Sequence, residues 1–390
     1  MNITRTLRAT SSRRVAQWTC HHCRQYSATQ AEAASQVDNP PTAISAAEVA
    51  SARKYCLDSL RRYDTPSSLL LPYIPRQARD AHIALRAFNI DVARTADTTS
   101  TPTIGAMRLQ FQRDAITKSL AGAPPKQPIA ILLAEAADQL VARTEGRSNF
   151  SKSWFMRIVD TREKYLDNRP YPSMESLESY AENTYSTLLY LTLQALPMAS
   201  LTADHVASHI GKASGITNVL RGVPLLAFPG PQNTHNNQGQ FAGDVGASRA
   251  GAVPLPLDIM AEAGVREEDV LRNGSNAKGL KDAVFAVATR ANDHLITARQ
   301  MLSDIQAGQG AGHDFEHQDE AEREGYAMSK SESQAQEVER AFGVFMPAIA
   351  TQICLDRLQK YDFDVFEPKL RVTDWRLPFK SYWAWRRRKL

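Results

Sequence analysis

The 390-residue sequence predicts an all-α protein, on three observations. Apolar residues recur at steps of three and four through most of the chain, the period of a buried helical face. No stretch alternates with the two-residue period of a half-buried strand, and no Asn-Gly turn joins two strand-like runs. Thr65-Pro66, Pro124-Pro125 and Pro128 punctuate the periodic segments where helices would end.

Residues 1–31 stand apart. They carry Arg5, Arg8, Arg13, Arg14 and Arg24, no acidic residue, and much Ser, Thr and Ala. A basic, acid-free amphipathic segment is drawn towards the negative interior of a mitochondrion, so a presequence is expected over 1–26, cut after Tyr26. Without those five arginines, the 46 basic residues become 41 against 42 acidic ones. The net charge of +4 therefore describes the address and gives no argument for a nucleic-acid partner. Cys20 and Cys23 form a lone C-H-H-C with no second pair to complete a zinc site. Cys56 and Cys354 fall in helical patterns and are expected to be free buried thiols.

Residues 27–45 are small and polar, a linker to a helical domain over 46–365. Helices are expected over Ala46–Tyr63, Gln77–Ala96, Pro102–Leu120, Ile129–Arg143, Ser151–Leu166 and Ser173–Leu196. Further ones follow over Thr202–Arg221, Leu280–Ile305 and Gln334–Tyr361, the last with Val338, Phe342, Phe345, Ile349 and Ile353 on one side, while Val265–Asn273 opens another region before the second of them. Residues 228–251 and 308–333 lack apolar periodicity and read as surface insertions. His313 and His317 lie in the second, a solvated segment rather than a metal site. No run reaches the roughly 18 apolar residues of a transmembrane helix.

The most informative stretch is Ala203–Pro224. Val206, Ile210, Ala213 and Leu220 form its core stripe, and Gly211, Gly215, Asn218 and Gly222 form a second seam of small or polar residues. Such a seam admits close approach by another helix or a ligand. Pro224 is expected to stop the helix. His205 and His209 lie four apart on it; with no third ligand evident, packing or hydrogen bonding is their expected use.

Gly211, Ala213, Thr217, Asn218, Leu220, Arg221 and Val223 resemble the second signature of the squalene/phytoene synthases. Ala87-Phe88 followed by NIDVARTAD is similar to the first, and VPLPLDIM to the family's YLPxDxL element, with Asp258 at its aspartate. The resemblance implies an isoprenoid (terpenoid) synthase-like single-domain helical bundle around a central cavity. It also implies Mg²⁺ held by two acid-rich helix segments, to neutralise a departing diphosphate. The acids are missing. Ala93 and Arg94 stand at the adjacent aspartates, Gly222 at the second signature's aspartate, and Asp97 alone fits. Wording such as ALRAFNIDVA, TIGAMRLQFQRD and ADHVASHIGKASGI is similar to the complex I assembly factor 6 branch of the same family.

That branch implies a pseudoenzyme without cofactor, in the mitochondrial matrix and peripheral to the inner membrane, whose partners are early assembly intermediates of complex I. The alternative is a transferase that still uses prenyl diphosphates with Mg²⁺, or a prenyl-lipid-binding protein. Asp97, Arg94, Gly211, Gly215, Asn218, Arg221 and Asp258 are the candidates for a vestigial pocket. The tail, 366–390, is of a different kind. Trp375, Trp383 and Trp385 interleave with Arg386, Arg387 and Arg388, suited to a membrane surface, to an acidic partner, or to packing on the domain itself.

Overall fold

Ser45 opens the first helix. Its hydroxyl accepts from the Glu48 amide at 3.2 Å while the Glu48 carboxylate accepts from the Ser45 amide at 2.9 Å, a reciprocal cap that fixes the start of α1, Ala46–Tyr63. The computed structural model describes residues 44–99, 101–198, 200–229, 251–307 and 335–390. The expected presequence and most of the linker and both insertions, with His313 and His317, lie outside the described residues.

Asp64 caps α2, Thr65–Leu70, with Pro66 in its first turn. Two 3₁₀ turns lead into α3, Arg79–Ala93, which is buried on nearly every side from Ala81 to Val92. It lies against α1 and against the helix over Pro128–Arg143. The expected helix over Gln77–Ala96 ends early: Arg94 caps α3, and a one-turn α4, Thr95–Thr98, follows. Thr101 caps α5, Pro102–Leu120, and Gln127 caps α6, Pro128–Arg143. Next come α7, Lys152–Lys164, and α8, Met174–Ala181. The single helix expected over Ser173–Leu196 is interrupted by a π turn at Glu182–Ser186 before α9, Thr187–Gln194.

The axis of the fold is α10, Leu201–Ala227, capped by Ser200. It runs against the π turn, α8, α9 and two later helices, Leu280–Gln306 and Pro347–Lys360. Pro224 does not stop it. The proline sits in the last turn, where only one backbone bond is lost, and its own carbonyl accepts from Phe228 N–H. After α11, Leu257–Glu262, and α12, Glu267–Asn273, comes the long α13, Leu280–Gln306. The helix expected over Gln334–Tyr361 is two, α14, Ala335–Phe345, and α15, Pro347–Lys360, bent by 52°. Pro347 has no N–H and opens the second of them, where a first-turn donor is dispensable. Both halves still turn Val338, Phe342, Phe345, Ile349 and Ile353 inward. Finally α16, Leu377–Arg387, lies on α15 and α2, so the tail belongs to the same unit as the helical domain, Ser45–Leu390.

Among the described residues there is no strand, only an isolated bridge between Tyr171 and Pro256. No single described helix is long and apolar enough to cross a membrane, and the apolar side chains of the bent α14–α15 pair line the core. Cys56 and Cys354 are free, and burial pushes the Cys56 thiol up to about 12.

His82 on α3 is buried with neither ring nitrogen hydrogen-bonded. Burial, aided by Arg86, pushes its pKa down to about 3. Between pH 6.5 and 3 the unfolded chain therefore binds a proton that the folded chain refuses, and stability falls as pH drops through this window. We expect His82→Leu, of similar volume, to raise stability by about 1 kcal/mol at neutral pH by removing an unsatisfied polar ring. It should also flatten the acid limb, as read by urea unfolding at a series of pH values.

Candidate functional site

The small-residue seam of α10 faces the turn between α8 and α9. A Cβ on Gly211 would lie 2.3 Å from Ser186 Cα, and one on Gly215 would lie 2.5 Å from Ala181 Cβ. Ser186 Oγ donates to Ser208 O at 2.9 Å, tying the turn to α10. The close approach is thus between two stretches of this chain. Gly222 is different, since nothing lies within 4 Å of its would-be Cβ. Asn218 donates to Ser214 O at 2.8 Å and accepts from the exposed Arg221 at 3.2 Å.

On α3, Asn89 and Ala93 are four apart and share a face. Asn89 Oδ1 accepts from Arg162 Nη2 at 3.2 Å, and Arg162 Nη1 donates to the Tyr180 hydroxyl. The guanidinium also lies 5.2 Å from the Tyr180 ring and 5.6 Å from the Tyr185 ring. Tyr185 in turn sits 3.0 Å from the Cβ position of Gly215. A line of contacts, Asn89–Arg162–Tyr185–Gly215, therefore joins the two signature helices through the protein's own side chains. Tyr165, Tyr171 and Tyr180 stack beside it at 4.7 to 5.4 Å. Arg162 Nε is sealed from water without a partner, and no carboxylate pairs with Arg162 among the described residues.

The other pocket candidates are placed elsewhere. Arg94 lays its guanidinium 3.8 Å over the Tyr63 ring, and Asp97 is exposed on α4. Asp258 accepts from Met174 N–H at 2.9 Å and from Ile259 N–H at 2.8 Å, holding the start of α8 against α11. Both of its oxygens are used to fasten backbone. Asp91 accepts from Gln112, and burial raises its pKa.

His209 Nδ1 lies 3.0 Å from His294 Nδ1, and His294 Nε2 lies 2.8 Å from Glu178 Oε1. With His294 Nε2–H donating to the carboxylate, its Nδ1 is free to accept from His209. Burial, then the neighbouring His294, pushes His209 down to about 4, so both rings work as neutral hydrogen-bonding groups. No cluster of three or more His, Cys, Asp or Glu is placed for a metal among the described residues.

The C-terminal candidates divide. Trp385 is turned inward, 5.6 Å from Tyr73 and 6.1 Å from Phe342, and Arg388 covers it at 3.7 Å. Trp375, Trp383, Arg386 and Arg387 remain at the surface.

The family model for squalene/phytoene synthase matches residues 60–376. NADH dehydrogenase (ubiquinone) complex I, assembly factor 6 of Mus musculus is 35% identical over 335 residues, 86% of this chain and 82% of that one. The Homo sapiens protein of the same name is 34% identical over 334 residues, 85% of this chain and 82% of that one. The chain belongs to the squalene/phytoene synthase family, in its complex I assembly factor 6 branch. Two solved structures carry the same fold. A dehydrosqualene synthase with bound ligand has a TM-score of 0.58 at 13% identity, covering 86% of this chain and 96% of that one. A squalene synthase from Alicyclobacillus acidocaldarius scores 0.57 at 12% identity, covering 82% and 97%. At such identities the likeness speaks for the isoprenoid synthase-like helical fold alone.

Arg162 escaped the sequence reading, although a signal was present. Phe155, Ile158 and Val159 are the buried residues of α7, and Arg162 continues their stripe at the next helical step.

Proposed function

We propose that this protein acts in the assembly of mitochondrial respiratory complex I, as a non-catalytic member of the squalene/phytoene synthase family. The observation that carries the reading is the match, over 86% of the chain, to relatives named as complex I assembly factors. The basic, acid-free residues 1–31 support import; action on an early intermediate at the matrix side, peripheral to the inner membrane, is what the branch resemblance implies.

The site supports the non-catalytic half. Mg²⁺ is held by carboxylate oxygens together with the substrate's phosphates. At the signature positions Ala93 and Gly222 offer no oxygen and Arg94 is a cation, which leaves Asp97. Between the two helices a guanidinium already lies against Asn89. These residues do not fit a magnesium diphosphate site, and the reading needs no cofactor. The filling of the seam by Ala181–Ser186 favours packing over a prenyl or lipid ligand there.

The test is complementation of cells lacking assembly factor 6. This chain and its Asp97→Ala variant are both expected to restore assembled complex I on native gels. Failure of the unaltered chain would sink the assembly reading. Turnover of farnesyl diphosphate with Mg²⁺ that disappears in Asp97→Ala would sink the non-catalytic one.

A further inference from the structure

The outer face of α16 has a use that the core does not explain. Its inner face is fixed: Leu377 and Ser381 are buried, and Ala384 and Trp385 join the cluster of Phe342, Met346 and Ile349. Arg388 closes that side by stacking on Trp385. The helix orientation is therefore set by its own anchors. On the opposite side Phe379 is 63% exposed and Trp383 51%, and the preceding Trp375 is 76% exposed. Trp375 meets Phe379 edge-on at 6.2 Å, and Tyr382 meets Trp383 at 5.7 Å. Large rings gathered on one side of an otherwise well-anchored helix form a contiguous apolar patch, the mark of an interaction surface.

Between these rings lies a groove of about 700 Å³, within the size range of small-ligand sites. Ile349, Ile353 and Ala384 are among its lining, and Trp375, Phe379 and Trp383 stand along it. Its charged side chains are of one sign. Arg299, Arg376, Lys380, Arg387 and Lys389 line it, and no carboxylate side chain does. Two of them are answered nearby, Arg376 by Asp374 and Lys380 by Asp356. Arg299 donates to Gln352 Oε1 at 2.8 Å and to an oxygen of Leu390, the last residue, at 3.2 Å. Arg387 lies 5.2 Å over the Trp383 ring. Arg386, Arg387 and Lys389 make no ion pair among the described residues.

We propose that this face and groove dock on an anionic phospholipid bilayer, with the Trp375, Phe379 and Trp383 rings at headgroup depth and a lipid phosphate held at the cationic rim. The proposal rests on the reading above that the protein works beside a membrane, and adds the surface and the lipid chemistry. An in-plane helix of this kind presents aromatic rings to the interface and guanidinium and ammonium groups to phosphates, and tryptophan settles where water meets hydrocarbon. The buried anchors hold the helix so that rings and cations arrive together, without ordering a flexible segment.

The experiment uses the full chain with vesicles of phosphatidylcholine alone and of phosphatidylcholine mixed with phosphatidylglycerol, read by co-sedimentation and tryptophan fluorescence. Binding is expected only to the mixed vesicles. It should weaken with salt and shift tryptophan emission to the blue. Arg386→Gln, Arg387→Gln and Lys389→Gln should each lower affinity roughly fivefold. Trp375→Phe with Trp383→Phe should keep binding and lose most of the blue shift, whereas Trp375→Ala with Phe379→Ala should lose binding. All alter exposed side chains, and unchanged thermal unfolding verifies the fold. Equal binding to both vesicle types, no binding to either, or binding untouched by these variants would overturn the proposal. So would retention on immobilised polyglutamate without vesicle binding, which would mark an acidic protein as the partner. Vesicle binding by a chain that fails to restore complex I would leave this proposal standing and remove the assembly reading. Restoration without vesicle binding would do the reverse.

Discussion

Gly211→Val is expected to cost more than about 3 kcal/mol of folding stability, enough to unfold much of a protein whose total is about 5–15 kcal/mol. The valine Cβ would lie 2.3 Å from both Cα and Oγ of Ser186 and 2.5 Å from its backbone nitrogen. Carbon atoms in good contact stand about 3.5–4.0 Å apart. The obstacle is mostly backbone, so no rotamer change relieves it, and α10 would have to part from the π turn by more than an ångström. Replacing glycine inside a helix contributes only about 1 kcal/mol the other way. Gly222→Ala supplies the comparison. Nothing lies within 4 Å of its Cβ position, so it is expected to stabilise by about 0.5–1 kcal/mol. Urea unfolding midpoints of the two variants should therefore move in opposite directions. Equal and small effects would show that the seam is not a close contact at all.

That contrast also marks what could be read in the sequence. The period of α10 and α13 is local, and it revealed both helices and their buried stripes. The seam was visible too, but Gly211 and Gly222 look alike in sequence. Only tertiary packing puts Ser186 against one and leaves the other open. Asp258 looked like part of a site because a family element holds it. Its partner Met174 lies 84 positions away, a distance no local pattern bridges. Trp383 and Trp385 are two apart and face opposite ways, as helical geometry requires once Leu377, Ser381 and Ala384 define the inner face. The absent carboxylates at 93 and 222 were legible as they stood. The side chain lying between the signature helices was not, because Arg162 comes from a third helix.

Arg162→Ala is the second large effect expected. The guanidinium links α3 through Asn89 to α8 through Tyr180, with Tyr185 alongside. Hydrogen bonds to a charged group contribute about 1.5–3 kcal/mol each, and their loss takes a donor from the Asn89 oxygen and from the Tyr180 hydroxyl. Release of a half-buried cation that has no carboxylate partner offsets part of this. A net loss of about 2–4 kcal/mol results. Arg162→Lys should recover little of it, because one ammonium cannot span Asn89 and Tyr180 as a planar fork does. If charge alone mattered, lysine would rescue.

Asn89→Asp separates the roles more sharply. Beside Arg162 the new carboxylate gains a charged partner, so its folded pKa should drop below its unfolded value of about 3.9. The added stability would be present above pH 4 and lost as pH falls through the lowered pKa. In the Arg162→Met background the same aspartate has no cation beside it. Its pKa should then rise, so that stability falls as pH climbs past about 4. A double-mutant cycle at neutral pH is expected to give a coupling of about 1–3 kcal/mol between positions 89 and 162. A coupling near zero would mean that Arg162 does not act through Asn89, and that their hydrogen bond adds nothing to the hold of α7 on α3.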